Sequence, residues 1–288
     1  MFKGAYTAIV TPFNKKGEVD YRKLRHLVEL QIKGGIDGIV PVGTTGESPT
    51  LDYDEHRKVI ETVVEAARKR IVIIAGTGAN STREAVELTR FAKESGADAT
   101  LQVAPYYNKP SQEGLARHFL EVADIGLPVV LYNIPGRTGV EIAVNTVARL
   151  AKHPKITTLK EAGGSVQRVS QILDKCNICI LSGDDPLTLP MMSVGAKGVI
   201  SVASNIAPRA VVEMVHAALA GNWARAMAMH RKYFRLFTDI FIDTNPVPIK
   251  AAMAMKGLLE EQYRLPLCPM SKALRGLLAK TLRDLKII

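Results

Sequence analysis

The feature that most constrains this chain is an eightfold alternation of short apolar segments with amphipathic ones. Each apolar segment is four or five residues long, carries no charge and is followed by a stretch of helical period. The segments are Tyr6–Val10, Gly38–Val42, Ile71–Ala75, Ala99–Val103, Val129–Tyr132, Ile156–Leu159, Ile178–Leu181 and Val199–Val202. Uncharged strands separated by helices are typical of a parallel sheet whose outer face is covered by those helices.

Helix-start signals support this alternation. Asp20 precedes the first helical stretch as a candidate N-cap. Asp52 with Glu55, and Ser81 with Glu84, have the spacing of a capping box. The sequence therefore predicts that helices begin at these three points.

Eight strand–helix units within the first 221 residues predict a closed (β/α)8 barrel, and residues 222–288 predict an appended all-helical domain. The alternative is an open, doubly wound sheet. Its best support is the pair Gly76 and Gly78 after the third strand, but the third glycine of a dinucleotide-binding turn is missing.

Composition, charge and the cysteine count exclude several classes of function. Hydrophobic residues make up 47% and charged residues 23% of the chain, as in ordinary globular enzymes. The net charge of +10 comes from scattered basic residues, so we expect no nucleic-acid partner. No apolar run approaches the roughly 18 residues of a membrane span, and the N-terminus lacks a signal-peptide pattern, which predicts a cytoplasmic location and no membrane partner. Three cysteines predict no disulfide framework, and Cys179 is expected to be buried in a strand.

Lys160, at the end of the sixth apolar segment, is the strongest candidate for chemistry. A free lysine amine has a pKa of about 10.4 and is a poor nucleophile at neutral pH. Burial can lower that pKa toward about 7–8, where the amine attacks a carbonyl carbon and forms a Schiff base. The alternative is a lysine that extends its ammonium into solvent from a strand end.

Other polar residues also follow strands, at the rim where barrel enzymes carry their active sites. Thr44 and Thr45 offer hydroxyl donors, Tyr132 offers an acid or base, and Arg137 offers a planar guanidinium that suits carboxylates. The acidic pair 184–185 could suggest a metal, but no further ligand cluster or metal motif accompanies it. We expect no metal site and predict instead that Asp185, before a proline, caps the next helix.

Five motifs extend this pattern to a family resemblance. The strings are GTTGES (43–48), APYYNKP (104–110), YNIPGRTG (132–139), LKEA (159–162) and SGDD (182–185). In this order and spacing they resemble the dihydrodipicolinate synthase family of pyruvate-dependent class I aldolases, from the first strand to the last helix.

The resemblance implies a role for each motif residue. Lys160 forms an imine with pyruvate, and Tyr132 is the central acid and base. Thr44 links two tyrosines in a proton relay that Tyr107 completes from a neighbouring subunit. The remaining implied substrate contacts are Thr45 on the pyruvate carboxylate, Arg137 on the carboxylate of L-aspartate 4-semialdehyde, and the backbone carbonyls of Gly183 and Ile200.

The resemblance also implies a homotetramer built from two tight dimers and chemistry that needs no external cofactor. Within the superfamily, Thr44, Thr45 and Arg137 together favour a short acidic aldehyde over a sugar acid. The alternatives are a related pyruvate-dependent aldolase or dehydratase acting on a sugar acid, and a non-catalytic barrel that retains only the fold.

A regulatory site for L-lysine is also implied. Five residues match the effector site of sensitive family members: Ser48, His56, Asn80, Glu84 and Tyr106. Tyr53 and Pro49 depart from the residues found there. The alternative is that His56 and Glu84 are ordinary residues of helix surfaces.

Overall fold

The computed structural model, which describes residues 2–288, shows a closed eight-stranded parallel barrel. The strands are β1 (Gly4–Ala8), β2 (Gly38–Val40), β3 (Val72–Gly76), β4 (Ala99–Val103), β5 (Val129–Asn133), β6 (Ile156–Glu161), β7 (Cys179–Ser182) and β8 (Gly198–Ser201). Neighbours in sequence are neighbours in the barrel, and β8 returns to pair in parallel with β1. The predicted barrel is confirmed, and the open-sheet alternative is wrong because such a sheet leaves its edge strands unpaired.

Helices follow the strands and cover the outside of the barrel. They are α1 (Tyr21–Lys33), α2 (Tyr53–Ala67), α3 (Thr82–Glu94), α4 (Gln112–Ala123), α5 (Pro135–Thr138), α6 (Val144–Leu150), α7 (Val166–Lys175), α8 (Thr188–Ser193), α9 (Pro208–Leu219), α10 (Trp223–Asp239), α11 (Val247–Met255) and α12 (Lys272–Asp284). In the described range 2–288, no helix is both long and apolar enough to cross a membrane.

The predicted helix caps are confirmed at two of three points. Asp20 accepts a hydrogen bond from the backbone N–H of Lys23, and Asp52 and Glu55 form both bonds of a capping box. Ser81 stands at the N-cap of α3 without such a bond, so the capping box predicted there is wrong. Spacing alone does not fix the side-chain rotamer that the bond requires.

Two hydrophobic clusters stabilise the barrel. The inner cluster fills the lumen with side chains such as Tyr6, Leu101 and Ile200, so the barrel is a packed core and not a pore. The outer, larger cluster lies between the strands and the helices. Cys179, on β7, is buried as expected.

The C-terminal helices pack against the barrel. α10 lies against α9 and α12, and α11 lies against α12. Phe237 of α10 and Leu278 of α12 are fully buried in the same outer cluster as the barrel helices. The predicted helical extension is confirmed, while the division of the chain into two domains at residue 221 stays a prediction. The shared core explains how residues beyond 240 reach the barrel rim.

Candidate active site

A cavity of about 180 Å³ opens where the barrel strands end at their carboxyl termini. Its walls contain six of the predicted site residues: Thr44, Thr45, Tyr132, Arg137, Lys160 and Gly183. Strands β5 and β6 contribute the tyrosine and the lysine, and the loops after β2, β5 and β7 contribute the others. The polar residues predicted at the strand ends therefore line a single cavity.

Lys160 and Tyr132 are direct neighbours in this cavity. They are paired across β5 and β6, and Lys160 Nζ lies 4.0 Å from the centroid of the Tyr132 ring. Only 6% of Lys160 is exposed, so the alternative of a solvent-directed lysine is wrong. A ring face attracts a cation, so it would stabilise a protonated imine formed at this nitrogen.

The strands that carry this pair are joined on their other face by buried polar groups. Asn133 and Glu161 follow Tyr132 and Lys160, and the Asn133 amide donates to both Glu161 carboxylate oxygens at 2.9 and 3.1 Å. Arg168 of α7 donates its Nε–H to Glu161 at 2.9 Å. Both members of this ion pair are buried. Because successive residues of a strand face opposite sides, these contacts fix the register of β5 and β6 without entering the cavity.

The loop after β2 presents the two threonines. Thr44 and Thr45 lie in a single turn of 3₁₀ helix, and Thr45 is buried. The Thr45 hydroxyl oxygen accepts a hydrogen bond of 3.0 Å from the side-chain amide of Asn245. Asn245 also lines the cavity, and its side-chain oxygen is buried without a partner in the described chain.

Arg137 lies on α5, the short helix that follows β5, and remains exposed at the cavity entrance. Its guanidinium donates to the backbone oxygen of Asn245 at 3.0 Å. This contact leaves further N–H groups of the guanidinium to face the opening, where they could bind a carboxylate.

Gly183 and Ile200 occupy different places. Gly183 lines the cavity, and a Cβ atom there would lie 2.9 Å from Cε of Lys160. The side chain of Ile200 is buried among the lumen residues, while Val202 is the β8-side residue in the cavity wall. The predicted contact of the Ile200 carbonyl with substrate stays a prediction.

The acidic pair after β7 has two distinct environments. Asp184 lines the cavity, and burial raises the pKa of its carboxyl. Asp185 does not cap the next helix, so that prediction is wrong: α8 begins after Leu187. Instead its carboxylate turns inward and accepts hydrogen bonds from the Ser201 hydroxyl and from the backbone N–H groups of Val202 and Ala203. This connection ties the ends of β7 and β8 together.

Tyr107 lies outside the cavity of its own chain. It is 91% exposed and has a φ of 72°, in the left-handed region.

A second cavity, of about 230 Å³, adjoins the first. The two share Thr44, Tyr132 and Arg137 in their walls. Of the five predicted effector residues, Ser48 and Tyr106 line this second cavity. The second cavity therefore lies directly beside the candidate site.

The other three effector residues lie close by. Asn80 donates to the backbone oxygen of Tyr106 at 3.3 Å, and burial together with the Glu84 carboxylate raises the pKa of Tyr106. His56 is buried, with Nε2 at 2.8 Å from the Gly76 carbonyl, and burial lowers its pKa. His56 is thus not a residue of the helix surface.

Sequence reasoning missed the contribution of the C-terminal segment to the site. Phe241 and Asn245 line the cavity although they lie far along the chain from each of the five family motifs. The only local signal is the polar string DTNP (243–246) immediately before an apolar helix.

The fold and the site define a (β/α)8-barrel enzyme of the class I aldolase type, because a buried lysine lies beside a tyrosine in a cavity at the barrel rim. The sequence model described as the dihydrodipicolinate synthetase family matches residues 1–285. The chain belongs to this family.

Individual relatives agree over the full length. The chain is 54% identical to the 4-hydroxy-tetrahydrodipicolinate synthase of Geotalea daltonii, with 100% of both chains covered. The crystal structure of the dihydrodipicolinate synthase of Acinetobacter baumannii complexed with pyruvate matches with a TM-score of 0.98 and 46% identity, again over 100% of both chains. The enzyme of Cyanidioschyzon merolae with lysine bound matches with a TM-score of 0.96 and 39% identity, over 100% of this chain and 99% of that one.

Proposed function

We propose that this protein is a 4-hydroxy-tetrahydrodipicolinate synthase that condenses pyruvate with L-aspartate 4-semialdehyde in the lysine and diaminopimelate pathway. The observation that carries the proposal is the position of Lys160, which is buried with Nζ 4.0 Å from the Tyr132 ring centroid in a cavity that also contains Thr45. Full-length relatives that carry this name support it.

The proposed reaction begins with attack by the neutral Lys160 amine on the keto carbon of pyruvate. Loss of one water gives the imine, with the pyruvate carboxylate accepting a hydrogen bond from Thr45. Removal of a methyl proton then gives the enamine, with the protonated imine nitrogen as electron sink. Tyr132 would move these protons, and the position of its ring beside Nζ supports this role.

The enamine carbon attacks the aldehyde carbon of the second substrate and forms the new carbon–carbon bond. The amino group of that substrate then attacks the former keto carbon and displaces Lys160, which closes the ring and frees the enzyme. One water is lost overall. Arg137, at the cavity entrance, would bind the carboxylate of the semialdehyde.

The proposal includes a partner subunit. Tyr107 is exposed and does not line its own cavity, which fits the role of completing the relay through Thr44 in a neighbouring chain. A homotetramer of two tight dimers would supply that neighbour. L-lysine would act as an effector near Ser48 and Tyr106, in the second cavity.

Borohydride reduction in the presence of pyruvate tests the core of the proposal. We expect a pyruvate-sized adduct on the intact protein, mapped to Lys160 and absent from Lys160→Ala. Lys152→Ala, at an exposed position before β6, is the matched control and should retain the adduct. A folded wild-type protein without adduct would contradict the proposal and favour the non-catalytic barrel.

Substrate profiling separates the synthase from the sugar-acid aldolase. We expect turnover of L-aspartate 4-semialdehyde with pyruvate and no comparable turnover of sugar acids. Arg137→Met should raise KM for the semialdehyde while borohydride trapping of pyruvate is retained. Preference for a sugar acid would identify the related aldolase instead.

A further inference from the structure

An ion pair is completely buried behind the turn of residues 44–47, which carries Thr44 and Thr45. Nζ of Lys250, on α11, lies 2.5 Å from Oε1 of Glu47, which follows the loop, and both side chains are 0% exposed. Removing two charges from water costs more than their attraction usually returns, so such a pair is weak evidence for stability. The position of this ion pair beside the turn of residues 44–47 therefore suggests a role other than stability.

The surroundings hold both charges in place. Lys250 Nζ lies 4.2 Å from the centroid of the Phe13 ring, and this aromatic face stabilises the ammonium. The other carboxylate oxygen of Glu47 accepts a hydrogen bond of 3.4 Å from the backbone N–H of Arg264. The Arg264 side chain forms two bonds to Glu55, at 2.5 and 2.6 Å. Glu47 is therefore fixed from the C-terminal segment through two separate donors.

The backbone of Glu47 shapes the loop itself. Its φ of 55° lies in the left-handed region, which is unfavourable for a residue with a Cβ. Its N–H donates to the Thr44 carbonyl at 3.1 Å and so closes the turn that contains Thr45. Its own carbonyl accepts from the N–H and the hydroxyl of Thr50, both at 3.0 Å. The buried carboxylate thus secures a strained turn directly after the two threonines.

The same C-terminal segment touches the loop a second time. Asn245 donates to the Thr45 hydroxyl oxygen at 3.0 Å, five residues before Lys250 in the chain. The loop is held at the hydroxyl by Asn245 and at the turn by Lys250. Both contacts depend on the seating of α11 against the barrel.

We propose that the Lys250–Glu47 ion pair is a positioning device that holds Thr45 at the correct place for the carboxylate of the keto acid. This inference rests on the proposed function. Lys250 and Glu47 touch no substrate and act only through the turn of residues 44–47. A displaced Thr45 hydroxyl would bind the carboxylate less well in the ground state and the transition state alike, which raises the pyruvate concentration needed for half-saturation and leaves kcat nearly unchanged.

The test measures pyruvate binding and stability in the same variants. Glu47→Gln and Lys250→Met should each raise the pyruvate concentration for half-maximal borohydride trapping about tenfold, with kcat at saturating pyruvate changed less than about twofold. The double variant Glu47→Gln with Lys250→Met carries no unpaired buried charge and should fold, yet retain the raised value. Arg275→Met, which breaks the α12 contact with Glu261, is the control and should leave pyruvate binding unchanged.

A double-mutant cycle with Thr45→Val decides whether the pair acts through Thr45. In the Thr45→Val background, Glu47→Gln should weaken pyruvate trapping by less than about twofold further, while its effect on Tm is retained. The inference would be overturned if Glu47→Gln weakened pyruvate trapping by the same factor in the wild type and in Thr45→Val. It would also be overturned if Glu47→Gln lowered Tm and left pyruvate binding unchanged. Absence of trapping in the wild type would instead contradict the proposed function, so the two failures are distinguishable.

Discussion

Lys160 and Tyr132 face each other because they pair across two neighbouring parallel strands, β6 and β5. Their side chains point to the same side of the barrel wall, which places Nζ 4.0 Å from the ring centroid without any loop contribution. A site carried on strands is held more rigidly than one carried on loops. Substitutions in this pair and in the residues that support it should therefore have distinct, measurable effects.

The phenol of Tyr132 should matter to rate more than to binding. Tyr132→Phe keeps the ring beside Lys160 and removes only the hydroxyl. We expect kcat to fall by about 10²–10⁴-fold, the usual contribution of a general acid or base. Borohydride trapping with pyruvate should persist at high pyruvate. Steady-state kinetics that show kcat within about threefold of wild type would exclude Tyr132 as the proton carrier.

The missing side chain of Gly183 provides space for the lysine. Gly183→Ala would place a methyl group 2.9 Å from Lys160 Cε and 2.8 Å from Ala162 Cβ, so the lysine must move. We expect imine trapping to slow by about tenfold or more. Gly136→Ala is the control, because an added Cβ there meets nothing within 4 Å. Equal trapping rates in the two variants would show that the lysine has room to adjust.

The buried ion pair between Arg168 and Glu161 should contribute to stability. Arg168→Met leaves the buried Glu161 carboxylate without its cationic partner, and we expect a loss of about 3 kcal/mol in the free energy of unfolding. Arg117→Met breaks an exposed pair with Glu113 one helical turn away and should cost less than about 1 kcal/mol. Urea unfolding measures both. Similar losses would mean that the Asn133 amide and the backbone N–H of Gly163 hold Glu161 adequately without Arg168.

Asp185 should make stability depend on pH. Burial raises the pKa of its carboxyl to about 6 against the opposing effect of its hydrogen bonds, while the unfolded chain has the ordinary value of 3.8. Between these values the folded state holds a proton that the unfolded state has lost, so stability falls as pH rises from about 4 to 6. The contribution is about 3 kcal/mol.

A comparison with Asp185→Asn isolates this effect, because the amide does not titrate. We expect the wild type to gain stability relative to the variant as the pH is lowered from 7 to 4, measured by urea unfolding at each pH. A constant difference over that range would show that the hydrogen bonds from Ser201, Val202 and Ala203 keep the carboxylate ionised at low pH.

Subunit mixing should reveal whether Tyr107 acts in a neighbouring chain. Lys160→Ala and Tyr107→Phe are each expected to have little activity alone. If each site takes its tyrosine from a dimer partner, a random mixture restores about a quarter of wild-type activity, since half the dimers are mixed and carry one complete site. The control mixes Lys160→Ala with Tyr132→Phe, because Tyr132 lines the cavity of its own chain together with Lys160.

That control pair has a defined outcome as well. Lys160 and Tyr132 both serve the site of their own chain. In a mixed dimer one subunit lacks the lysine and the other lacks the phenol, so neither site is complete and activity should not return. No recovery with Tyr107→Phe under conditions where mass spectrometry shows mixed dimers would contradict its role in the partner's site.

Much of the site could be predicted because of how barrels are built. Polar residues at the ends of successive strands meet at one rim, so Lys160, Tyr132 and Thr45 can be grouped from the sequence alone. Asn245 and Lys250 could not be assigned to the site in this way. They contact Thr45 and Glu47 across separations of 200 and 203 residues, and no local pattern encodes such a contact.

Local rules failed where long-range packing decided the outcome. Asp185 stands before a proline, which favours a helix cap, but three donors at the end of β8 bind its carboxylate instead. A neighbouring strand therefore determines which way the Asp185 side chain points.

The bond between Asn245 and Thr45 has a consequence for how the protein is made. A ribosome that has released the strands and helices of the barrel has already supplied the lysine and the tyrosine, but the groups that secure the threonine turn are still to be translated. A nascent chain at that stage would have the reactive amine and lack the support for holding a keto acid beside it. The affinity for a keto acid would then rise only after residues 245–250 have been translated and packed against the barrel.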